Sequence, residues 1–324
     1  MPDQMPKPPC STPATARTEL IIDCDPGIDD AVSLALAANS SELNLRGVTT
    51  VAGNVELSQT TANALALLNT LGRDDVRVAA GADQGLVRPK PPHAFIHGRN
   101  GLGGVRLPPP SRRPDRDHAV ALLAAQLRAS PPRSVTIAAI GPLTNIALLA
   151  ALHPELIDRI ARVVVMGASS AGGNVTPLAE YNTWADPEAA HRVLSASGLN
   201  VCLVELQVTR QATLDSRARR ALKGASPLGA VLSRMIEGYA DGAPGERALH
   251  DVVVVAAIID PTLIATRPGR IEVRTSTGAD RGQTVLSVDE SAGDGSRLQV
   301  AVDLDAVRLR EMLLSRIGAA AVLE

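Results

Sequence analysis

Short runs of β-branched and aliphatic residues alternate along this chain with longer segments whose apolar positions recur every three to four residues. That alternation predicts βαβ units around a mostly parallel sheet. Glu19 to Asp23 reads as the first strand, and Asp29 to Ala38 as a helix with Ala31, Leu34, Ala35 and Ala38 along one face. Leu45 to Val51 reads as a strand, Leu57 to Leu71 as a helix with a wide apolar face, and Val76 to Ala79 as a return to the sheet. Residues Gly85 to Arg116 break the rhythm with prolines, glycines and two histidines, which predicts a long surface loop of the kind that carries function. Beyond it the pattern gives a helix (His118 to Arg128), a strand (Val135 to Ile140), a short helix starting within Pro142 to Asn145, and a strand (Ala161 to Met166). A second loop (Gly167 to Asp186), a helix (Pro187 to Ser197), a strand (Asn200 to Leu206) and helical segments from Asp215 to Tyr239 follow. The chain is then expected to close with a buried helix (His250 to Ile259), a few antiparallel strands between Ile271 and Val302, and a helix (Leu304 to Ile317). With no internal repeat and no Gly/Ser linker, 19–324 is expected to form a single domain: an open, mostly parallel α/β sheet flanked by helices, with peripheral helices and a small C-terminal antiparallel addition. Residues 1–18, rich in Pro, Ser and Thr, read as a disordered tail without the apolar stretch of a secretory signal.

Composition narrows the function classes. The chain has 324 residues with 32 basic and 34 acidic side chains, a net charge of -2, and no basic footprint for a nucleic-acid polymer. Hydrophobic residues make up 45%, yet no apolar run reaches the roughly 18 residues of a membrane span, so a membrane partner is not expected. Cys10, Cys24 and Cys202 are scattered and odd in number, which fits a reducing cytoplasm better than a disulfide framework or a zinc site. The aromatic residues are only Phe95, Tyr181, Trp184 and Tyr239, so the core must be aliphatic and any aromatic near a site stands out.

The sharpest feature is Asp23-Cys24-Asp25-Pro26-Gly27-Ile28-Asp29-Asp30, where the apolar run Leu20-Ile21-Ile22 ends and a helix begins. Four carboxylates in eight residues repel one another unless a positive charge sits among them, and the turn carries no Lys or Arg. A bound cation accounts for the crowding, and oxygen-only ligands favour a hard ion, Ca²⁺ or Mg²⁺. For one or two of these residues a strand end and a helix cap would suffice as explanation; for all four they do not. An EF-hand loop shares the D-x-D spacing, but its closing Glu would fall on Leu34. A haloacid-dehalogenase-type phosphatase also opens on strand then D-x-D, but Gly27 stands where Thr or Val is normal, and no convincing later Lys or paired acidic motif follows.

The chain as a whole resembles the inosine-uridine-preferring nucleoside hydrolases. The resemblance is carried in one order by Asp23 to Asp30, by Thr49-Thr50-Val51-Ala52-Gly53-Asn54, by His97-Gly98-Arg99-Asn100-Gly101-Leu102-Gly103, and by Gly141-Pro142-Leu143-Thr144-Asn145-Ile146-Ala147. Val165-Met166-Gly167, Asn174 with Ala179-Glu180-Tyr181-Asn182, Asp186-Pro187-Glu188-Ala189-Ala190 and His250-Asp251 complete it. Departures are Arg99-Asn100 where acidic residues are common, Val252 where Pro is usual, and an Ala240 to Leu249 segment that lacks the extra aromatics of relatives.

The resemblance implies a nucleoside hydrolase-like fold with a Rossmann-like core, acting as a homodimer or homotetramer on ribonucleosides. It further implies that Asp25, Asp30, Asp251 and the backbone carbonyl of Ile140 bind Ca²⁺, and that Asp25 activates a Ca²⁺-bound water. Asp29, Asn54, Asn174, Glu180 and Asn182 would hold ribose hydroxyls, and Trp184 would line the base pocket. His250, and second to it His97, would protonate the leaving base, with Asp23 a supporting carboxylate behind them. Asn145 reads as structural and Asp186 as a helix cap. The rival readings are a catalytically weak or inactive Ca²⁺ and ribose binding homologue and, behind it, the phosphatase.

Overall fold

The computed structural model describes residues 17–89, 96–196, 198–239, 246–288 and 297–318. The expected tail, part of the 85–116 loop and part of the 240–249 segment therefore lie outside the described residues. Strands β1 (Thr18–Cys24), β2 (Leu43–Thr50), β3 (Arg77–Ala80), β4 (Val135–Ala139), β5 (Ile160–Met166) and β6 (Val201–Val204) form one parallel array in the order β6-β5-β4-β1-β2-β3. A two-stranded ribbon of β7 (Thr213–Leu214) and β8 (Arg247–Ala248) stands apart from it. Strands β9 (Ile264–Val273), β10 (Thr284–Val288) and β11 (Leu298–Leu304) extend the main sheet beyond β6.

The antiparallel C-terminal addition is present, with two corrections. The strand placed from Ile271 begins at Ile264, and β11 is not purely antiparallel: it pairs parallel with β6 on one side and antiparallel with β9 on the other. Pro268 sits in β9 without breaking it because β9 changes partners there, bonding β11 over Ile264 to Pro268 and β10 over Gly269 to Val273.

Period-2 alternation in β1 explains the two packed faces. Leu20, Ile22 and Cys24 belong to one apolar cluster and Ile21 to the other, and all are fully buried. The first face is covered by α1 (Ile28–Ala38) and, from the second half of the chain, by α10 (Val252–Ile259). Between these in sequence come α2 (Leu57–Thr70), α3 (Ala119–Arg128), α4 (Thr144–Leu152), α5 (Tyr181–Ala185), α6 (Pro187–His191), α7 (Leu206–Thr209), α8 (Ser216–Ala225) and α9 (Pro227–Glu237). Helix α11 (Ala306–Gly318) closes the described chain. Helix α5 was expected to be loop, and the helix from Pro187 ends at His191, giving way to a wider π turn over Arg192–Ala196. The run Val252-Val253-Val254-Val255 is β-branched yet helical, as expected, because both its faces are buried.

The chain winds from β1 to β2 and β3 in one direction, then returns to place β4 on the other side of β1. A crevice opens at the carboxyl ends of strands where the winding reverses, and that is where open α/β sheets bind ligands. The end of β1 at Cys24 and the end of β4 at Ala139 flank it. No helix among the described residues is long and apolar enough to cross a membrane.

Candidate active site

The turn between β1 and α1 sets the floor of this crevice. Gly27 is the cap residue of α1, and Asp30, three residues on, reaches back to accept hydrogen bonds from the Gly27 N–H (2.8 Å) and the Asp25 N–H (3.2 Å). The Asn54 backbone N–H donates to Asp25 Oδ2 (2.7 Å), while its side-chain amide donates to the Asp25 carbonyl (3.1 Å) and to Asp30 Oδ2 (3.2 Å). The Asp25 carboxylate is wedged between two glycines: a Cβ at Gly53 would lie 1.9 Å from its Oδ2, and one at Gly141 2.7 Å from its Oδ1.

Asp29, Asp30 and Asp251 are buried, and one oxygen from each lies within 4.8 Å of the others. Burial first, then the charge of Asp29, pushes Asp30 up to about 7. The same causes, with Asp30 and Asp25 adding their charge, hold Asp251 well above the usual carboxylate range. Asp29 Oδ2 accepts from the Tyr239 hydroxyl (3.1 Å), whereas its buried Oδ1 has no hydrogen-bond partner among the described residues. An orphaned buried oxygen, repelling carboxylates and the absence of Lys or Arg among the described residues of the cavity wall together fit a hard divalent cation. The trio that converges contains Asp29, where the sequence placed Asp25; Asp25 stands on its flank.

The other wall comes from the 167–182 segment. Glu180 caps α5, its Oε1 accepting from Asn182 N–H (2.8 Å) and its Oε2 from Thr183 N–H and Ala168 N–H (3.0 Å each). Burial raises the Glu180 carboxyl in spite of those bonds. The cap orients the first turn of α5, so that Asn182 Nδ2 reaches the Ile140 carbonyl (3.1 Å) and Asn174 Oδ1 accepts from Tyr181 N–H (2.9 Å).

Two histidines close the rim. His97 Nδ1 accepts from the Ile28 N–H (3.0 Å), which puts the proton of the neutral ring on Nε2, and the ring packs on Tyr239 with centroids 5.0 Å apart. His250 Nδ1 meets Thr209 Oγ1 at 2.8 Å, and Thr209 Oγ1 in turn donates to the Leu206 carbonyl (3.2 Å).

Asp25, Asp29, Asn54, His97, Ile140, Asn174, Glu180, Asn182, His250 and Asp251 all line one cavity. Asp30 lies just beneath it, and Asp23 lies deeper still, its Oδ1 accepting from Thr49 Oγ1 (2.5 Å) and Asn145 Nδ2 (2.8 Å). Trp184 does not line the cavity. It lies against Gly282, with its ring 6.4 Å from that of Tyr181. The wall also contains Tyr181, Tyr239, Ile96 and Met166, which sequence reasoning did not select. Scarcity of aromatics was the available signal for the two tyrosines.

The model of the family described as inosine-uridine preferring nucleoside hydrolase matches residues 20–311. The pyrimidine-specific ribonucleoside hydrolase RihA of Citrobacter koseri is 36% identical over 306 residues, covering 92% of this chain and 97% of that protein. The non-specific ribonucleoside hydrolase RihC of Klebsiella pneumoniae is 39% identical over 291 residues, covering 89% and 94%. Among solved structures, a purine-preferring ribonucleoside hydrolase from Gardnerella vaginalis superposes with a TM-score of 0.86 at 32% identity, over 94% of this chain and 99% of that one.

Proposed function

This chain belongs to the inosine-uridine preferring nucleoside hydrolase family, and from that premise we propose that it hydrolyses the N-glycosidic bond of ribonucleosides to ribose and free base. The observation that carries the reading is the buried, oxygen-only convergence of Asp29, Asp30 and Asp251 at the crevice floor, with Asp25 beside it.

We assign a Ca²⁺ to the carboxylates of Asp25, Asp30 and Asp251 and the carbonyl of Ile140. When bound, the cation neutralises these carboxylates and supplies Lewis acidity to the reaction. The chain's own groups do the rest. Water adds to C1′ of the ribose as the C1′–N bond breaks, and Asp25 takes the proton that water gives up. Positive charge develops on the sugar, and the surrounding carboxylate and amide oxygens of Asp29, Asn54, Asn174, Glu180 and Asn182 favour it while accepting from its hydroxyls. The electron pair leaves with the base, which takes a proton from an imidazole. His250 is the donor in this reading, with His97, whose Nε2 carries a proton, as the second. The cage of Gly53 and Gly141 around Asp25 fixes the base without leaving it slack.

The convergence of Asp29 on the same point favours a second arrangement, in which Asp29 takes the place of Asp25 beside the cation. Asp29→Asn separates the two: retention of one cation per chain with a raised KM keeps Asp29 on the sugar, and loss of the cation moves it to the ion. Homo-oligomerisation and a cytoplasmic setting accompany the family reading, and sedimentation of the purified protein tests the former.

Relatives specific for pyrimidines, preferring purines or accepting both are all similar to this chain, so the test uses inosine, adenosine, uridine and cytidine. Free base and reducing sugar are measured for the wild type, the wild type with chelator, and Asp25→Ala. Activity that both treatments abolish is expected; no release from any of the four by a folded, cation-loaded protein would favour the binding-protein reading.

A further inference from the structure

At the opposite, amino-terminal edge of the sheet lies a cavity of about 450 Å³ that shares no residue with the catalytic crevice. Arg133 approaches it from the turn before β4, Arg162 from the start of β5 and Arg297 from the residue before β11. Its floor is apolar, with Val164, Ala257 and Ile264, and its rim carries the amide of Asn200 and the hydroxyl of Thr266. Arg162 and Met166 stand four residues apart on β5, so this cavity and the crevice are separated by about 13 Å of strand.

The three guanidinium groups differ from the arginines that a carboxylate holds. Arg46, Arg77, Arg281, Arg308 and Arg316 each pair with a carboxylate at 2.5–2.7 Å. Among the described residues, Arg133, Arg162 and Arg297 make no ion pair. Asp158 stands on the adjoining cleft that Arg133 and Arg297 also line. Arg297 donates to the Gly198 carbonyl. Arg162 is close enough to Cys202 that its charge offsets part of the rise that burial imposes on that thiol.

Arg133 adds a second observation. It holds φ at +51°, a left-handed conformation uncommon for a residue with a Cβ, and its backbone is pinned there by the bonds from Arg133 N–H to the Asp158 carbonyl (3.0 Å) and from Ser134 N–H to the Arg159 carbonyl (3.2 Å). Glycine or asparagine would fit that turn with less strain. A long cationic side chain in a strained backbone, lining a cavity with two more arginines that pair with no carboxylate among the described residues, points to a constraint other than folding.

We propose that this cavity binds a phosphate monoester of a small organic molecule. Arginine forks match phosphate oxygens in pairs, and charge-assisted bonds of this kind are strongest where the cations lack other partners. The cavity is of a size that holds a small ligand, and its apolar floor with a few polar groups suits an organic body attached to the phosphate. The proposal is independent of the catalytic reading, since it uses none of the same residues.

The test is calorimetric titration of the full-length protein with ribose 5-phosphate, ribose and inorganic phosphate, with and without chelator. Ribose 5-phosphate is expected to bind equally with and without chelator, and ribose in chelator not at all. Arg162→Gln and Arg133→Gly are each expected to weaken that binding about tenfold or more, the loss of one charge-assisted bond. Both should release base from nucleosides at the wild-type rate. Arg133→Gly removes the guanidinium while suiting the positive φ, so its unfolding temperature should not fall, which separates lost binding from lost fold. No binding of ribose 5-phosphate at about 10 mM overturns the proposal. Binding that survives both variants, or that chelator removes, overturns it as well. Inorganic phosphate binding as tightly as the ester overturns the assignment of an organic ligand.

Discussion

Stripping the cation from the carboxylate cluster should reverse the way this protein's stability responds to pH. In the folded chain Asp30 is held up to about 7 by burial first and by Asp29 second, whereas in an unfolded chain an Asp loses its proton near pH 4. Between those values the folded state binds the extra proton, so the chelated protein is most stable below pH 4 as far as this group is concerned. That contribution falls away as pH rises through about 7. From pH 5 to pH 8 about two units of that window are crossed, at about 1.4 kcal/mol per unit, so Asp30 alone removes on the order of 3 kcal/mol. Asp251, raised by the same causes, extends the loss to higher pH. For large domains each kcal/mol moves Tm by roughly 2–4 °C, so the chelated protein should melt on the order of 5–10 °C lower at pH 8 than at pH 5. The cation-loaded protein should show the opposite slope in this range, because the ion competes with the protons for the same oxygens. Scanning calorimetry at matched ionic strength, with and without chelator, reads both slopes. Asp30→Asn, which cannot ionise, should flatten the chelated curve. A chelated protein equally stable at pH 5 and pH 8, or an unchanged slope in Asp30→Asn, would refute the argument that these carboxylates are crowded without their ion.

Four substitutions test the walls of the site. Gly53→Ala places a methyl group 1.9 Å from Asp25 Oδ2, and the strain, about 1–3 kcal/mol, should lower both Tm and kcat/KM; wild-type kinetics would mean Asp25 is not confined as described. Tyr239→Phe removes the donor to Asp29 Oδ2, a bond to a charged group worth about 1.5–3 kcal/mol, and should change KM about tenfold while leaving bound cation intact. Thr209→Val removes the hydroxyl that meets His250 Nδ1 and should reduce kcat by about tenfold with little change in KM; an unaltered kcat would remove His250 from the proton path. Trp184→Phe should leave kcat/KM within about twofold for every base, since the ring stands outside the cavity, and a larger loss would return Trp184 to the base pocket.

The junction of β1 and α1 was legible because its signals are local: an apolar strand, a Pro-Gly turn and carboxylates at fixed spacing, with Asp30 close enough to cap its own helix. Asp186 was readable as a helix cap for the same reason, whereas the bonds of Asn145 reach 63 and 122 residues along the chain. Asp186 caps α6 through the Ala189 N–H (3.0 Å), and Asn145 ties Asp23 to the Ala82 N–H (2.8 and 2.9 Å). Helix α5 escaped detection because five residues show no periodicity, and the cap that nucleates it, Glu180, lies in a Gly- and Pro-containing loop. Trp184 was placed in the base pocket with it, whereas its contact with Gly282 comes from a segment about a hundred residues further along the chain, which no local pattern records. Tyr239 could not be joined to Asp29 from sequence because 210 positions separate them along the chain. The partner change of β9 at Pro268 depends on the arrival of β11 beside β6, which no local pattern records.

The carboxylates that converge at the crevice floor come from chain segments far apart in sequence, Asp29 and Asp30 at the head of α1 and Asp251 just before α10. Such a contact forms only after both segments have been brought together, so it belongs late on the folding route. An ion held there acts on the native state and scarcely on the transition state, slowing escape from the fold while leaving the rate of return almost unchanged. Removing it therefore shortens the lifetime of each folded molecule before it alters how readily a new one forms. Resistance to a protease that waits for rare openings is the property most exposed to its loss.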